Sequence, residues 1–295
     1  MIFTKRPSRL HAFATAFFAS PTASVAFCVF VAMTLAAIFA PLIAPQDPYD
    51  LRSVSILDNL LSPGEASFAG VTFWLGTDGQ GRDMLSAMLY GLRISLIVGL
   101  ASGVIALAFG TLVGLVAAFS GGWVDAVLMR IVDLQLSLPT ILVALILLVI
   151  LGRGIDKIIV ALVVVQWAYF ARTVRSVALV ENARDYVDAA RGLRLPSLRI
   201  LFHHILPNCL PTLLVVATIQ MAQAISLEAT LSFLGLGLPP TRPSLGLLIA
   251  NGFDYLQSGR WWISVLPGVV LLVLVVSINV VGDRLREVLN PHLRG

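Results

Sequence analysis

Long apolar runs alternate with short polar segments along this chain, and the runs have the length of membrane-spanning helices. A helix needs about 20 mainly apolar residues to cross about 30 Å of hydrocarbon. The candidate spans, in chain order, are Ala23–Ala44, Ile94–Phe119, Leu134–Gly152, Ile158–Ala171, Leu210–Leu236 and Trp262–Val281. The pattern predicts an all-α, polytopic membrane protein with six transmembrane helices.

Two of these runs need an additional argument. Ile158–Ala171 is short, so its helix is expected to continue past Arg172 and Arg175 into water. The first run follows basic residues, as a signal peptide does, but it is long for that purpose and ends abruptly at prolines. A membrane helix is therefore favoured over a cleaved signal.

Composition supports membrane embedding and argues against an enzyme. Hydrophobic residues make up 58% of the 295 residues and charged residues only 12%, about half the usual share of a soluble domain. Neither lysine, Lys5 or Lys157, lies in a phosphate-binding G-x-x-x-x-G-K-[ST] loop, and H-E-x-x-H and G-x-S-x-G are absent. Cys28 and Cys209 indicate no disulfide framework, and His203-His204 is a poor metal pair. We expect no catalytic residue, no metal site and no cofactor bound by this chain.

The distribution of basic residues predicts the orientation. With six spans both termini share one side, and that side is richer in arginine and lysine, so it is assigned to the cytoplasm. The resulting segments are a cytoplasmic N-terminal segment (1–20), a first helix (21–44), an extracytoplasmic loop (45–93), a core of five helices (94–281) and a cytoplasmic tail (282–295).

The cytoplasmic connector 181–209 combines basic and apolar residues in an otherwise apolar chain. Asn182–Gly192 suits a short helix, and Ser197 is a suitable N-cap for a second one. A continuous apolar face is predicted from Leu198, Leu201, Phe202 and Ile205. Pro207 is expected to close this unit. Such a two-helix unit either lies on the bilayer, docks into a partner's groove or is a solvated connector.

Several motifs resemble those of inner-membrane permeases of ABC importers. Asp188-Ala189-Ala190 followed by Ile205-Leu206-Pro207 resembles the E-A-A-x3-G-x9-I-x-L-P signature of that family. The peptide/nickel branch, and its second permease subunit, is indicated by GTDGQGRDMLSAMLYGLRISLIVGL (76–100), MRIVDLQLSLP (129–139), FARTVRSVALV (170–180), LEATLSFLGLGLPPTRPSLG (227–246) and GDRLREVLNPHLRG (282–295). The resemblance implies a type I ABC importer permease fold.

In that family the connector is the coupling helix, which seats in a cleft of a cytoplasmic ATPase. The implied coupling residues are Asp188, Ala189, Ala190, Gly192, Arg194, Leu198, Leu201, Phe202, Ile205 and Pro207. Asp188 replaces the family's Glu, and Arg194 stands where a Gly is usual. Gly192 and Pro196 are expected to form the bend instead.

Polar residues within the spans are candidates for the translocation path. Gln220 and Gln223 are three residues apart near mid-membrane, so they are expected to share one face. They either line the path or hydrogen-bond between helices. Glu228 either pairs with a basic group at an outer gate or caps a bend. Asp125 and Asp133 lie on the helix leading into the third span, where Arg130 is a predicted ion-pair partner of Asp133.

The outer-loop motif precedes the second span. Its residues are Gly76, Thr77, Asp78, Gly81, Arg82 and Asp83. Together with Gly79 they predict a tight turn held by side chain–backbone hydrogen bonds, with direct contact to a ligand as the alternative.

The resemblance implies a function and a set of partners. The chain would be a permease subunit for di- or oligopeptides in a bacterial inner membrane. It would work with a homologous second permease, an extracytoplasmic binding protein and two ATPases that carry ATP and magnesium. The alternatives are a nickel–chelator or other small solute as cargo, a proton-driven secondary carrier and a membrane-anchored scaffold.

Overall fold

The structure is a computed structural model, and it describes residues 9–50, 54–67 and 70–289. The helices are α1 (Arg9–Phe18), α2 (Pro21–Ile38), α3 (Ala40–Ile43), α4 (Met84–Ser120), α5 (Gly122–Ser137), α6 (Thr140–Leu151), α7 (Ile155–Asn182), α8 (Asp185–Gly192), α9 (Ser197–Ile200), α10 (Leu206–Phe233), α11 (Leu245–Phe253) and α12 (Trp262–Leu289). A π-helical turn (Leu201–Ile205) joins α9 to α10, and two 3₁₀ turns span Ile56–Asp58 and Leu256–Ser258. Strands β1 (Glu65–Ala66) and β2 (Thr72–Phe73) form a small antiparallel hairpin.

Within the described ranges, five continuous helices are long and apolar enough to cross a membrane. They are α2, α4, α7, the continuous Ser197–Phe233 helix and α12, and the bent pair α5–α6 supplies a sixth crossing if it counts as one span. The all-α, multi-pass prediction is therefore confirmed. The predicted extension of the fourth span is also confirmed, because α7 continues through Arg172 and Arg175 to Asn182.

The third span is not the single straight helix predicted for Leu134–Gly152. Helices α5 and α6 meet at an angle of 91°, and Leu138 between them has an extended backbone with ψ of 139°. Pro139 explains the break, because its ring disfavours helical geometry in the preceding residue and it has no N–H to donate.

The first span is shorter than predicted for the same reason. Helix α2 begins with the Ser20 side chain accepting from the N–H of Ala23 and ends at Ile38. After Phe39 a separate short helix, α3, begins with Pro41 in its first turn. The second span differs in the other direction, since α4 starts at Met84, ten residues before the predicted Ile94, and so shortens the outer loop.

Two glycines allow α4 and α7 to pack closely. A Cβ on Gly110 would lie 2.4 Å from the carbonyl oxygen of Trp167, and one on Gly114 would lie 2.4 Å from that of Ala171. Those distances are too short for any side chain, so the Gly-x-x-x-Gly spacing lets the two backbones touch. The α4–α7 pair is the centre against which α10 also packs.

The N- and C-terminal helices meet at one end of the bundle. The Arg284 side chain on α12 donates to the carbonyl oxygens of Ala16 and Phe17, which are free at the end of α1. Helix α12 extends through the start of the predicted tail 282–295 to Leu289, and 290–295 lie outside the described residues.

Candidate functional site

The connector lies between α7 and α10. The first of its two predicted short helices is present and is α8. Three backbone hydrogen bonds end this helix. The N–H of Leu193 donates to Ala189 O, that of Arg194 to Arg191 O, and that of Leu195 to Ala190 O. The last two are the 5→2 and 6→1 bonds of a Schellman motif, whose C′ residue adopts a left-handed conformation.

Arg194 occupies that C′ position, with φ of 56°. The prediction that Gly192 and Pro196 form the bend is therefore wrong, because Gly192 is the last helical residue of α8 and Arg194 makes the turn. A residue with a Cβ is strained there by about 1 kcal/mol or more, which is why glycine is preferred. Arg194 therefore makes the same turn that a glycine would make, but its backbone is strained.

Two further predictions about the second helix are wrong. Ser197 is already inside α9, and Pro196 is the N-cap, without a side-chain hydrogen bond. Pro207 does not close the unit, because the helix runs on through the π turn into α10. Pro207 cannot donate to the carbonyl four residues earlier, and a turn with i→i+5 bonds accommodates that missing donor.

The π turn changes which apolar residues share a face. Leu201 and Ile205 are buried against the chain's own helices, at 7% and 1% exposure. Leu198 and Phe202 instead point away from the chain, at 70% and 44%, and Leu193 is 76% exposed. The four-residue face predicted as one surface is thus divided into an anchoring half and an outward half.

The two alanines of the motif are divided in the same way. Ala190 is 5% exposed and belongs to the cluster of buried residues that includes Val187, Ile200 and Phe170 of α7, whereas Ala189 is exposed. Asp188 is also exposed and accepts from Arg191 at 2.8 Å. Arg191 in turn donates to Asn182 at the end of α7.

The connector is tied to the membrane helices on both sides. The Tyr186 hydroxyl donates to Glu181 of α7 at 2.6 Å and accepts from the Asn208 side chain of α10 at 3.1 Å. Together with the buried cluster, these bonds make α8 and α9 one unit with the ends of α7 and α10. The outward apolar surface therefore belongs to a unit that is bonded to both helices.

A cavity of about 550 Å³ lies beside the middle of α10. Gln223 lines it and is exposed to it, together with Ser226 and Thr230. Gln220 does not share this environment. It is buried in the packed interior at 4% exposure, and its backbone carbonyl oxygen accepts from the Gln166 side chain of α7 at 3.0 Å.

The expectation that the two glutamines share one face is thus wrong. Residues three apart on a helix point in directions about 60° apart. That difference is enough to place one glutamine in the cavity and the other in the packed interior.

Glu228 is fully buried between α10 and α4. Its carboxyl group accepts hydrogen bonds from Ser95 of α4 at 3.0 Å and from Ser232 one turn along α10 at 2.8 Å. In the described part of the chain its partners are hydroxyl groups and not a basic side chain. The structure therefore gives no support to an ion pair at an outer gate, and it shows Glu228 joining α10 to α4.

The outer-loop motif forms the predicted turn. Asp78 Oδ1 accepts from the N–H groups of Gln80 and Arg82 at 2.8 and 2.9 Å. Burial raises the pKa of this carboxyl group, although those two bonds and the Arg82 charge oppose the rise. Gly76 and Gly81 both have positive φ, at 77° and 78°, which glycine alone adopts without strain.

Three other residues of the motif fasten this turn to its surroundings. Thr77 donates to the Asp58 carbonyl at 2.6 Å, and the buried Arg82 donates to the Pro240 carbonyl at 2.8 Å. Asp83 is the N-cap of α4, accepting from Ser86. The motif therefore positions the N-terminal end of α4, while the alternative of a ligand contact stays a prediction.

The acidic residues of α5 pair with α7 and not within their own helix. Asp125 accepts two hydrogen bonds from Arg175, each at 2.5 Å, and Asp133 pairs with Arg172. The predicted Arg130–Asp133 pair is therefore wrong. These pairs hold α5 across the extended end of α7, and the 91° bend places α5 where they form.

Several cavity residues are not among those predicted from the sequence. Ser226 and Thr230 follow Gln223 at helical spacing, so a search for a polar stripe along the helix would have found them. Thr140, Tyr169 and Asn279 join the cavity from three other helices, and only the tertiary structure brings them together.

A multi-pass helical bundle with a packed two-helix connector and a polar cavity between its helices is typical of a membrane transport permease. The chain belongs to the family described as "Binding-protein-dependent transport system inner membrane component", which matches residues 110–295. Residues 8–63 match the N-terminal transmembrane domain of oligopeptide transport permease C. The resemblance inferred from the motifs is thereby confirmed.

Individual relatives agree with this assignment. The chain is 41% identical over 259 residues to the di/tripeptide transport system permease protein DppC of Pseudomonas aeruginosa, covering 88% of this chain and 84% of that one. It is 36% identical to the dipeptide transport system permease protein DppC of Haemophilus influenzae, covering 89% and 88%. Among solved structures, an inward-facing MetNI methionine ABC transporter chain superposes with a TM-score of 0.57 at 25% identity, covering 70% of this chain and 97% of that one. The type I ABC importer permease fold follows from these comparisons.

Proposed function

We propose that this permease carries di- or tripeptides across a bacterial inner membrane, driven by separate cytoplasmic ATPases. The observation that carries the proposal is the outward apolar surface formed by Leu193, Leu198 and Phe202. These side chains are 44 to 76% exposed although they sit on a well-packed connector. Exposed apolar groups on a rigid unit are typical of a surface that a partner covers.

The mechanism is alternating access. Closure of the ATPases moves the connector, and α7 and α10 move with it because Tyr186, Asn208 and the buried cluster join them. Those two helices flank the cavity, so the same motion changes its access. ATP and magnesium stay on the ATPases, and this chain supplies no catalytic group. A ligand shifts the balance only through different affinities for the two states.

The proposal includes further partners, which the family supports. A homologous second permease supplies the other wall of the path, since the cavity is open on one side. An extracytoplasmic binding protein delivers the cargo. In this proposal both termini are cytoplasmic, because the side that they share is richer in arginine and lysine. The connector then faces the ATPases, and the turn at residues 76–83 faces outward.

Peptide cargo is favoured because relatives with 36 to 41% identity are named dipeptide or di/tripeptide permeases. A nickel–chelator complex or another small solute is the second candidate, and a proton-driven carrier is a distant third. The cavity favours a hydrogen-bonding cargo, since its polar lining is made of hydroxyl and amide groups.

The test is uptake by the complete complex in proteoliposomes. We expect labelled dialanine to accumulate only when ATP faces the connector side and the binding protein is on the other side. Uptake that runs on a proton gradient without ATP would contradict the proposal. Uptake of a nickel chelate in preference to every dipeptide would contradict the peptide assignment alone.

A further inference from the structure

The mid-membrane cavity contains polar groups that the chain itself leaves unpaired. Four side chains that line it, Thr140, Tyr169, Gln223 and Asn279, have no hydrogen-bond partner among the described residues. They come from α6, α7, α10 and α12. Unpaired polar groups in hydrocarbon are costly and typically face a water path or a bound solute.

Two further hydroxyl groups in the cavity, those of Ser226 and Thr230, already donate a hydrogen bond within α10. Ser226 donates to Ala222 O at 2.9 Å and Thr230 donates to Ser226 O at 2.8 Å. Their hydrogens are used, but their oxygens can still accept. With Gln223 they form a stripe from 223 to 230, and these seven residue steps correspond to about 10 Å along the helix axis.

The charge of the cavity is as informative as its polarity. None of the residues that line it is acidic or basic. Amides and hydroxyls can both donate and accept, which matches the N–H and C=O groups of a peptide backbone. An extended residue spans about 3.3–3.6 Å, so the stripe covers about three residues at once.

We propose that this cavity is a cargo-contact site that binds the backbone of a short extended peptide, with Gln223 and Asn279 as its amide contacts. Because this chain contributes no charged lining residue, its wall of the site does not discriminate by the charge of the peptide's side chains. This inference rests on the proposed function and adds the residues and the selectivity. The rival role for the same groups is hydrogen bonding to the second permease as packing contacts.

The experiment uses the complete complex in proteoliposomes with Gln223→Leu and Asn279→Leu. Leucine keeps most of the volume of either side chain and removes its hydrogen bonds. We expect kcat/KM for uptake to fall about three- to tenfold for each, the range for one net hydrogen bond. ATPase stimulation by loaded binding protein should persist. Gln223→Asn, which keeps an amide, should recover part of the loss.

The matched control is Thr34→Val in α2, which removes a polar group from a span outside the cavity, and it should leave uptake unchanged. Three probes, Ala-Ala, Ala-Glu and Ala-Lys, test the charge prediction and should be affected by the same factor. A loss confined to the charged dipeptides would overturn the inference.

Two other results would also overturn it. Unchanged uptake in Gln223→Leu and Asn279→Leu would mean that the cargo does not touch these groups. Loss of the second permease from the purified variant complex would assign them to packing. A wild-type complex whose ATPase responds to the binding protein but which imports none of the dipeptides would instead overturn the proposed function, and this inference with it.

Discussion

Truncating the outward apolar surface of the connector should weaken ATPase binding without unfolding the permease. Leu198 is 70% exposed and Phe202 is 44% exposed, so these fractions are available to a partner. Leu→Ala removes three carbons at about 0.8 kcal/mol each when buried, and 70% of that is about 1.7 kcal/mol. The exposed part of Phe202 adds about 1 kcal/mol. Together they correspond to roughly 50- to 100-fold in Kd.

The assay is the Kd of the purified ATPase for the permease pair in nanodiscs, measured for the Leu198→Ala/Phe202→Ala double variant. The matched control is Leu214→Ala, the same residue type on the same continuous helix at 53% exposure, about 24 Å further along the axis. The control should bind the ATPase as the wild type does. The reasoning is refuted if the double variant binds with unchanged Kd, or if the control loses as much.

Other substitutions separate docking from folding. Ala189→Leu should abolish ATP-dependent uptake while membrane insertion stays normal. Ala190→Leu should instead lower thermal stability by about 1–3 kcal/mol, because it overpacks a buried cluster. Equal melting temperatures of the two variants would contradict this distinction. Arg194→Gly should raise or preserve stability, by about 1 kcal/mol at most, because relief of the left-handed strain is partly offset by the greater freedom of glycine in the unfolded chain. A clear destabilisation in a thermal melt would argue against the strain. Glu228→Ala should cost about 2 kcal/mol or more, because two buried serine hydroxyls lose their acceptor, and Glu228→Gln should cost less; the reverse order would contradict the role of Glu228 in joining α10 to α4.

The number and rough position of the spans are predictable because apolar runs of about 20 residues have few alternatives in a membrane. Their breaks are less predictable. Pro139 and Pro41 both lie inside apolar runs. Hydropathy alone does not predict that a 91° bend forms at Pro139, or that α2 ends and the short helix α3 begins next to Pro41. By contrast, Pro207 and Pro211 lie within a continuous helix, because a π turn absorbs the first of them.

The connector shows what motif and periodicity each contribute. The motif locates the unit and its short first helix, but a regular 3.6-residue period assigns Leu198 and Phe202 to the same face as Leu201 and Ile205. The π turn and the contacts with α7 decide the true division. Likewise, Gln223 was identified from sequence as a candidate, whereas Tyr169 and Asn279 needed the packing of three helices.

The most direct test of the account is a cross-link from the connector in the native membrane. A photo-reactive cysteine label on Leu198→Cys, in a Cys28→Ser background, would be activated in intact membranes and the adduct identified by mass spectrometry, with Leu214→Cys as the control. We expect an ATPase with a phosphate-binding loop to be cross-linked at position 198 and to be absent at position 214. Cross-linking at 198 to lipid alone, or to no ATPase, would contradict the claim that this connector couples ATP hydrolysis to transport.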